Sequence, residues 1–382
     1  MSSFRTALLA AQICAALVVA ACTAAPSPTS TTATDTMAPT AAPAAPGATA
    51  VPAATAVPDG TALPAAPTPA PTAPPKPAVE SMVVSFSNVV PDNLPLWVTR
   101  EAGLFDQHAL KVDLRFIASS TGIPALLAGE TTVFTGGGSE TLSATANGAD
   151  LVLLGNFVPV YPFLFEVPAD ITTLDQLRSK RVGVSSIGSS SDIASRAGLR
   201  RAGLDPDHDV TFVPLGSSQN LVAGLLNGAV QGIVSRPPDS VGLEAKGFHP
   251  LFDLAEQKLP AVNTCIVVQR AYLESHRDVV QRYIDAIVEG LTRMRQDRAF
   301  SVEVLKKYFQ SDDQHAMEVA YDYHVARVYP LVPTLSATQF EDAIAQLSKN
   351  EPRARDVDLT RVIDNSFVQS AVARGLAGPN VR

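Results

Sequence analysis

Residues 82–154 read MVVSFSNVVPDNLPLWVTREAGLFDQHALKVDLRFIASSTGIPALLAGETTVFTGGGSETLSATANGADLVLL, and the order of their apolar runs decides the fold. Strands are expected at Met82–Phe86, at Val112–Ile117, at Thr132–Thr135 running into Gly136-Gly137-Gly138, and at Leu151–Leu154. Helical patterns lie between them: Pro95 to Leu104 with a stop at Gly103, Ser119 through Leu127, and a third ending at Asn147-Gly148. Strands that alternate with helical crossovers run parallel, so the class is α/β. The same order returns about a hundred residues later, too few copies for a solenoid but enough for two similar lobes. Ala102-Gly103-Leu104 and His108 align with Ala202-Gly203-Leu204 and His208, Leu126-Leu127-Ala128-Gly129 with Leu225-Leu226-Asn227-Gly228, and Gly148 with Gly247. From Ala271 the pattern is helical. Val279, Ile284, Ile287, Val288 and Leu291 form one apolar face, and Leu305, Phe309, Val319, Tyr323, Phe340, Ile344 and Leu347 continue it as core stripes.

The N-terminus carries a different message. Arg5 precedes an apolar run, Ala7 to Ala21, of roughly 15 residues, short for a membrane-spanning helix but normal for an export signal. It ends in Val19-Ala20-Ala21-Cys22, which resembles a bacterial lipobox. Residues 1–21 are therefore expected as a lipoprotein signal peptide and Cys22 as the acylated new N-terminus. Residues 22–79 follow as a tether of Ala, Pro and Thr that cannot bury a core. Of the three cysteines, Cys14 leaves with the signal and Cys22 takes lipid. Cys265 alone remains, and an exported body of ~300 residues without a disulfide must rest on a large core.

Net charge is −8. Arg5, Lys76, Asp35 and Asp59 cancel in the leader and tether, so the acidity belongs to the body. Without a basic cluster interleaved with aromatics, nucleic-acid binding is not expected. The apolar stretch Leu151–Val167 is too short and too rich in proline for a membrane span, and reads as buried strand and connector.

Ligands of open parallel sheets bind beyond the carboxyl ends of the strands. In the first lobe those loops are Ser87–Leu94, Ser119–Thr121 and Gly136–Ser139; in the second they are Ser185–Asp192, Gly216–Asn220 and Ser235–Pro238. They are rich in hydroxyls, amides and glycines, and Arg236 is their only cation. The candidate ligand-binding residues are Asn88, Asn93, Trp97, Ser119, Ser120, Thr121, Gly137, Gly138, Ser139, Tyr161, Ser186, Ser189, Ser190, Ser191, Asn220, Arg236 and Thr264. Each has a plainer reading. Ser189-Ser190-Ser191-Asp192 suits a helix cap as well as an N-terminal ligand site. Arg236 suits a surface ion pair, the glycines a flexible turn, and Trp97, Tyr161 and Phe163 a packed core. Enzyme signatures fail: Gly183-Val184-Ser185-Ser186-Ile187 lacks the last glycine of a nucleophile elbow, and six histidines and a lone Cys265 offer no metal spacing. No catalytic residue, metal or cofactor is expected.

The segment Asn93–Phe105, NLPLWVTREAGLF, resembles the opening of the periplasmic solute-binding proteins that serve nitrate, sulfonate, taurine, thiamine-pyrimidine and riboflavin importers. So do Leu127-Ala128-Gly129-Glu130 with the glycine run after it, and Leu174-Asp175-Gln176-Leu177-Arg178-Ser179-Lys180-Arg181-Val182-Gly183-Val184. The likeness spans about Met82 to Leu347. It departs at Ser235-Arg236-Pro237, where many relatives have Trp-Asp-Pro. The resemblance implies a two-lobed periplasmic-binding-protein fold of type II, with parallel-rich sheets, helices on both faces and a helical C-terminal region. Lobe 1 would be discontinuous (80–168 plus 264–382), lobe 2 would be 169–263, and the crossovers would fall near Glu166–Ile171 and Ala261–Thr264. It also implies a monomeric, non-enzymatic solute carrier, lipid-anchored on the outer side of the cell membrane and partnered by an ABC permease with its ATPase. Burying an oxyanion needs cations or many donors, and these loops offer one Arg. A flat, polyhydroxylated, vitamin-like solute is therefore expected, riboflavin first. A thiamine pyrimidine precursor, or sulfonate or nitrate, stands as the alternative, and a pyrimidine-synthase-like enzyme or a solute sensor as the alternative of another class.

Overall fold

The structure is a computed structural model that describes residues 77–379; the signal peptide, Cys22 and all but the last residues of the tether lie outside them. The described residues fall within one unit, Ala73–Arg382.

Two five-stranded sheets carry the fold. In the first, β1 (Glu80–Phe86) lies parallel to β2 (Leu110–Phe116) and β3 (Val133–Gly136), with Met82 opposite Val112 and Phe86 opposite Thr135. β4 (Leu151–Asn156) completes it, joined to β3 through the antiparallel strand β10 (Cys265–Gln269), so the order is β2-β1-β3-β10-β4. The second sheet repeats the plan. β5 (Leu164–Val167) is its antiparallel insert, and β6 (Lys180–Val184), β7 (Val210–Pro214), β8 (Gly232–Ser235) and β9 (His249–Asp253) stand in the order β7-β6-β8-β5-β9. β10 (Cys265–Gln269) then returns to the first sheet.

The sequence repeat is therefore the repeat of the sheets, and its anchors have a physical cause. Gly129 and Gly228, just past the helices that follow β2 and β7, have φ of 75° and 74°. Only glycine takes that left-handed conformation without strain.

One expectation is corrected. The apolar run Leu151–Val167 holds two strands of different sheets, split by Pro159 and Pro162. β5 belongs to the second sheet, so the first lobe ends before residue 164 and not at the expected 168. The chain crosses between Asn156 and Leu164, before Glu166–Ile171, and returns between Asp253 and Cys265. Unbroken apolarity reports burial and carries no mark of which sheet a strand joins.

The C-terminal third is helical. In the helix Arg277–Gln296, Val279, Ile284, Ile287, Val288 and Leu291 are all at most 3% exposed, and the helix packs against the helix Leu94–Glu101. The helix Gln314–Arg327 turns a different face from the one expected. Met317, Ala320, Tyr321 and His324 are buried, while Val319 and Tyr323 are only partly so. No helix of the described residues is long and apolar enough to cross a membrane.

Candidate ligand-binding cleft

The carboxyl ends of β1, β2 and β3 face those of β6, β7 and β8 across a cavity of about 480 Å³, within the usual range for small-molecule sites. Each of the six expected loops contributes to its wall. Asn88, Asn93, Ser119, Ser120, Gly137, Ser186, Ser189, Ser190, Ser191, Arg236 and Thr264 line it.

The other candidates do not. Trp97 is fully buried, stacked on Tyr308 at 4.5 Å and edge-on to Phe86 at 5.8 Å; an aromatic beginning a helix behind the first loop serves the core. Tyr161 is 4% exposed and donates to Asp342 Oδ2 at 3.2 Å, with its phenol pKa raised by burial and by Asp342. Thr121 donates to the Ala118 carbonyl, and Asn220 Nδ2 to the Leu215 carbonyl at 2.7 Å, so both side chains fasten loops. Ser139 opens on a neighbouring groove and donates to Glu140. In Gly136-Gly137-Gly138 only Gly137 lines the cavity. A Cβ on Gly136 would strike the Phe134 ring at 2.3 Å and one on Gly138 would strike Val262 at 2.1 Å, so these two permit close internal packing rather than ligand approach.

The serine run both caps and lines. Ser189 is the N-cap of the helix Ser190–Arg201 and accepts from the Asp192 amide. Ser185, Ser189 and Ser191 hydrogen-bond one another at 2.9–3.0 Å, which leaves Ser186 and Ser190 as the hydroxyls turned to the cavity without such a partner among the described residues.

The residue that organises the cleft is Asp92, in the short turn Pro91–Asn93 after β1. It is 2% exposed. Its carboxylate accepts from Arg236 of the opposite lobe, from Asn263 Nδ2 at 2.8 Å and from Thr264 Oγ1 at 3.3 Å, and His324 Nε2 lies 3.3 Å away. Burial alone would raise its pKa, but the Arg236 charge and the contact with His324 hold it far below the usual carboxylate range. Arg236 is thus not a surface cation. Asp92 neutralises it, and its guanidinium lies 4.3 Å over the Phe163 ring. No sequence motif singles out Asp92, Asn263 or His324. Asp92 sits inside an expected loop but reads as an ordinary turn residue, and nothing in the spacing of the histidines points His324 at a loop more than two hundred positions away.

The remaining polar wall is rich in acceptors. Asn93 Oδ1 and Asn263 Oδ1 are buried and have no hydrogen-bond partner among the described residues. Burial raises the pKa of Glu140, against its own backbone amide and the Ser139 hydroxyl; it also raises that of Asp239, against Arg236. Just behind the wall, Glu166 is fully buried. Burial pushes its pKa up to about 7, although Ser235 Oγ donates to it at 3.2 Å. The ring that faces outward at the rim is Phe116, 58% exposed and edge-on to Phe86 at 5.8 Å. Cys265, the only cysteine of the described residues, is fully buried with its thiol pKa raised by burial and by Glu140, the opposite of an activated nucleophile. No group of three His, Cys, Asp or Glu able to hold a metal occurs among the described residues.

Comparison with known proteins bears on this arrangement. A family model described as NMT1/THI5 like matches residues 90–299. No curated protein matches the chain. Among solved structures, the ligand-binding component of an ABC-type import system from Staphylococcus aureus, with zinc bound, is 14% identical; the match covers 76% of this chain and 99% of that one, with a TM-score of 0.65. The alkanesulfonate-binding protein from Xanthomonas axonopodis pv. citri, bound to MOPS, is 21% identical over 78% of this chain and 98% of its own, with a TM-score of 0.59. The desulfurization enzyme DSZB, solved with biphenyl-2-sulfinic acid, is 19% identical over 78% and 99%, with a TM-score of 0.56. The fold is that of the periplasmic binding proteins, and it hosts both carriers and an enzyme.

Proposed function

The chain belongs to the NMT1/THI5-like family, and we propose that it is the extracytoplasmic solute-binding component of an ABC importer, closing two lobes on a flat, uncharged, donor-rich solute. One observation carries the ligand class: the single cation of the cavity wall is neutralised by Asp92, while Glu140 and Asp239 add carboxyl oxygens to that wall. An oxyanion entering this cleft would meet no free positive charge, and only neutral donors such as the Ser186 and Ser190 hydroxyls would offset its desolvation. A solute carrying O–H and N–H groups would satisfy those carboxyl oxygens, and Phe116 offers a face to a planar ring. Riboflavin suits this chemistry best and a thiamine pyrimidine precursor next. The buried Cys265, with its thiol pKa raised, is unsuited to nucleophilic chemistry, which favours carriage over catalysis by that residue.

In this reading residues 1–21 are removed, Cys22 is lipidated, and the Pro-rich tether holds the lobes beside a permease. Calorimetric titration of the protein with riboflavin tests the ligand. Binding at micromolar concentration or tighter, with none for an alkanesulfonate, is expected; tight sulfonate or nitrate binding with no response to riboflavin would overturn it.

A further inference from the structure

We propose that the cleft contains an anion site that the protein fills with its own Asp92 carboxylate, so that Asp92 is the residue that turns the pocket away from anionic solutes. Four residues from three segments converge on this one group: Arg236 at the end of β8, Asn263 and Thr264 on the returning crossover, and His324 on a C-terminal helix. A lone surface carboxylate does not collect such a set. Planar oxyanions and sulfonates present oxygens that charge-assisted donors of this kind bind strongly. The guanidinium also makes a contact that does not involve Asp92, 4.3 Å over the Phe163 ring. Asp92, Arg236, Asn263 and Thr264 all line the cavity, so removal of the Asp92 side chain opens the donors to solutes from the cleft. The buried carboxylate also stands at the first loop and its partner arginine at the second lobe, so the filled site ties the two lobes together without any ligand.

The inference rests on the uncharged-solute reading for its biological meaning, but its test does not. In the full chain, Asp92→Ala is expected to acquire a saturable rise in thermal midpoint with formate, and calorimetric binding of methanesulfonate at least ten-fold tighter than wild type, both measured against chloride at equal ionic strength. Arg236→Gln in the same background is expected to abolish both. Wild type is expected to show neither. If Asp92→Ala folds only in formate, that dependence is itself the expected rescue. Asp92→Asn, which keeps the shape and removes the charge, still fills the site and is expected to gain less than Asp92→Ala with either anion. A folded Asp92→Ala that ignores both anions, or a wild type that binds methanesulfonate as tightly as that variant, would overturn the proposal. Anion rescue in the variants together with no riboflavin binding by wild type would sink the solute reading and leave the internal anion site standing.

Discussion

Asp92 and Asp192 occupy matching places in the two sheets, each shortly after the first strand of its repeat and each almost completely buried. Each is paired with an arginine that lies over a phenylalanine, Arg236 over Phe163 and Arg196 over Phe212. Their use differs. Asp192 stays at home: it accepts from Arg196 Nε at 2.7 Å, one turn along its own helix, and from the Gly188 amide at 2.9 Å. Asp92 instead reaches Arg236 across the cleft. Duplicated backbone thus supplies two equivalent buried carboxylates, and the residues around them make one a helix fastener and the other a gate on the ligand's charge.

The largest effect should come from breaking the cross-lobe pair. Asp92→Ala leaves Arg236, only 13% exposed, without its partner, and in chloride it should lose about 3–5 kcal/mol in denaturant unfolding. Asp192→Ala should lose less, about 1–3 kcal/mol, because Arg196 keeps Asp207 at 2.6 Å. Equal losses would contradict the distinction.

Glu166, behind the second-lobe wall, gives a pH-dependent contrast. Its pKa in the folded protein is about 7, against an ordinary 4.5, so the native state holds the proton more tightly than the unfolded chain. The contribution is full below pH 4.5 and is lost as pH rises through 7. Glu166→Gln should therefore gain up to about 3 kcal/mol over wild type at pH 8 and almost nothing at pH 4.5. Denaturant curves at the two pH values check it, and a flat difference would refute the assigned protonation.

The smallest effect tests the repeat itself. Gly129→Ala and Gly228→Ala each force a side chain into a left-handed conformation where space is open, so each should cost about 1–2 kcal/mol and by the same amount. A marked inequality would mean the two turns are not equivalent.

These contrasts also show what a sequence displays. Backbone requirements were visible: glycines at positive φ recur at fixed offsets, strand runs alternate with helices, and the loops at the strand ends follow from the topology. Chemistry that depends on which side chains meet was not. The apolar continuity of Leu151–Val167 hid the switch of sheets. Trp97 carries the same letter in a core as in a binding site, and its helix turns it inward. Arg236 was marked as a cation, but its charge is cancelled by Asp92, 144 positions earlier, and no local pattern encodes such a pair.

The central claim, that a self-neutralised and acceptor-lined cleft takes an uncharged, donor-rich solute, is tested most directly by native mass spectrometry of the protein purified from its own host with whatever small molecule accompanies it. The account predicts a neutral ring compound bearing several O–H or N–H groups. A copurifying sulfonate, nitrate or other anion held by the wild-type protein would contradict it.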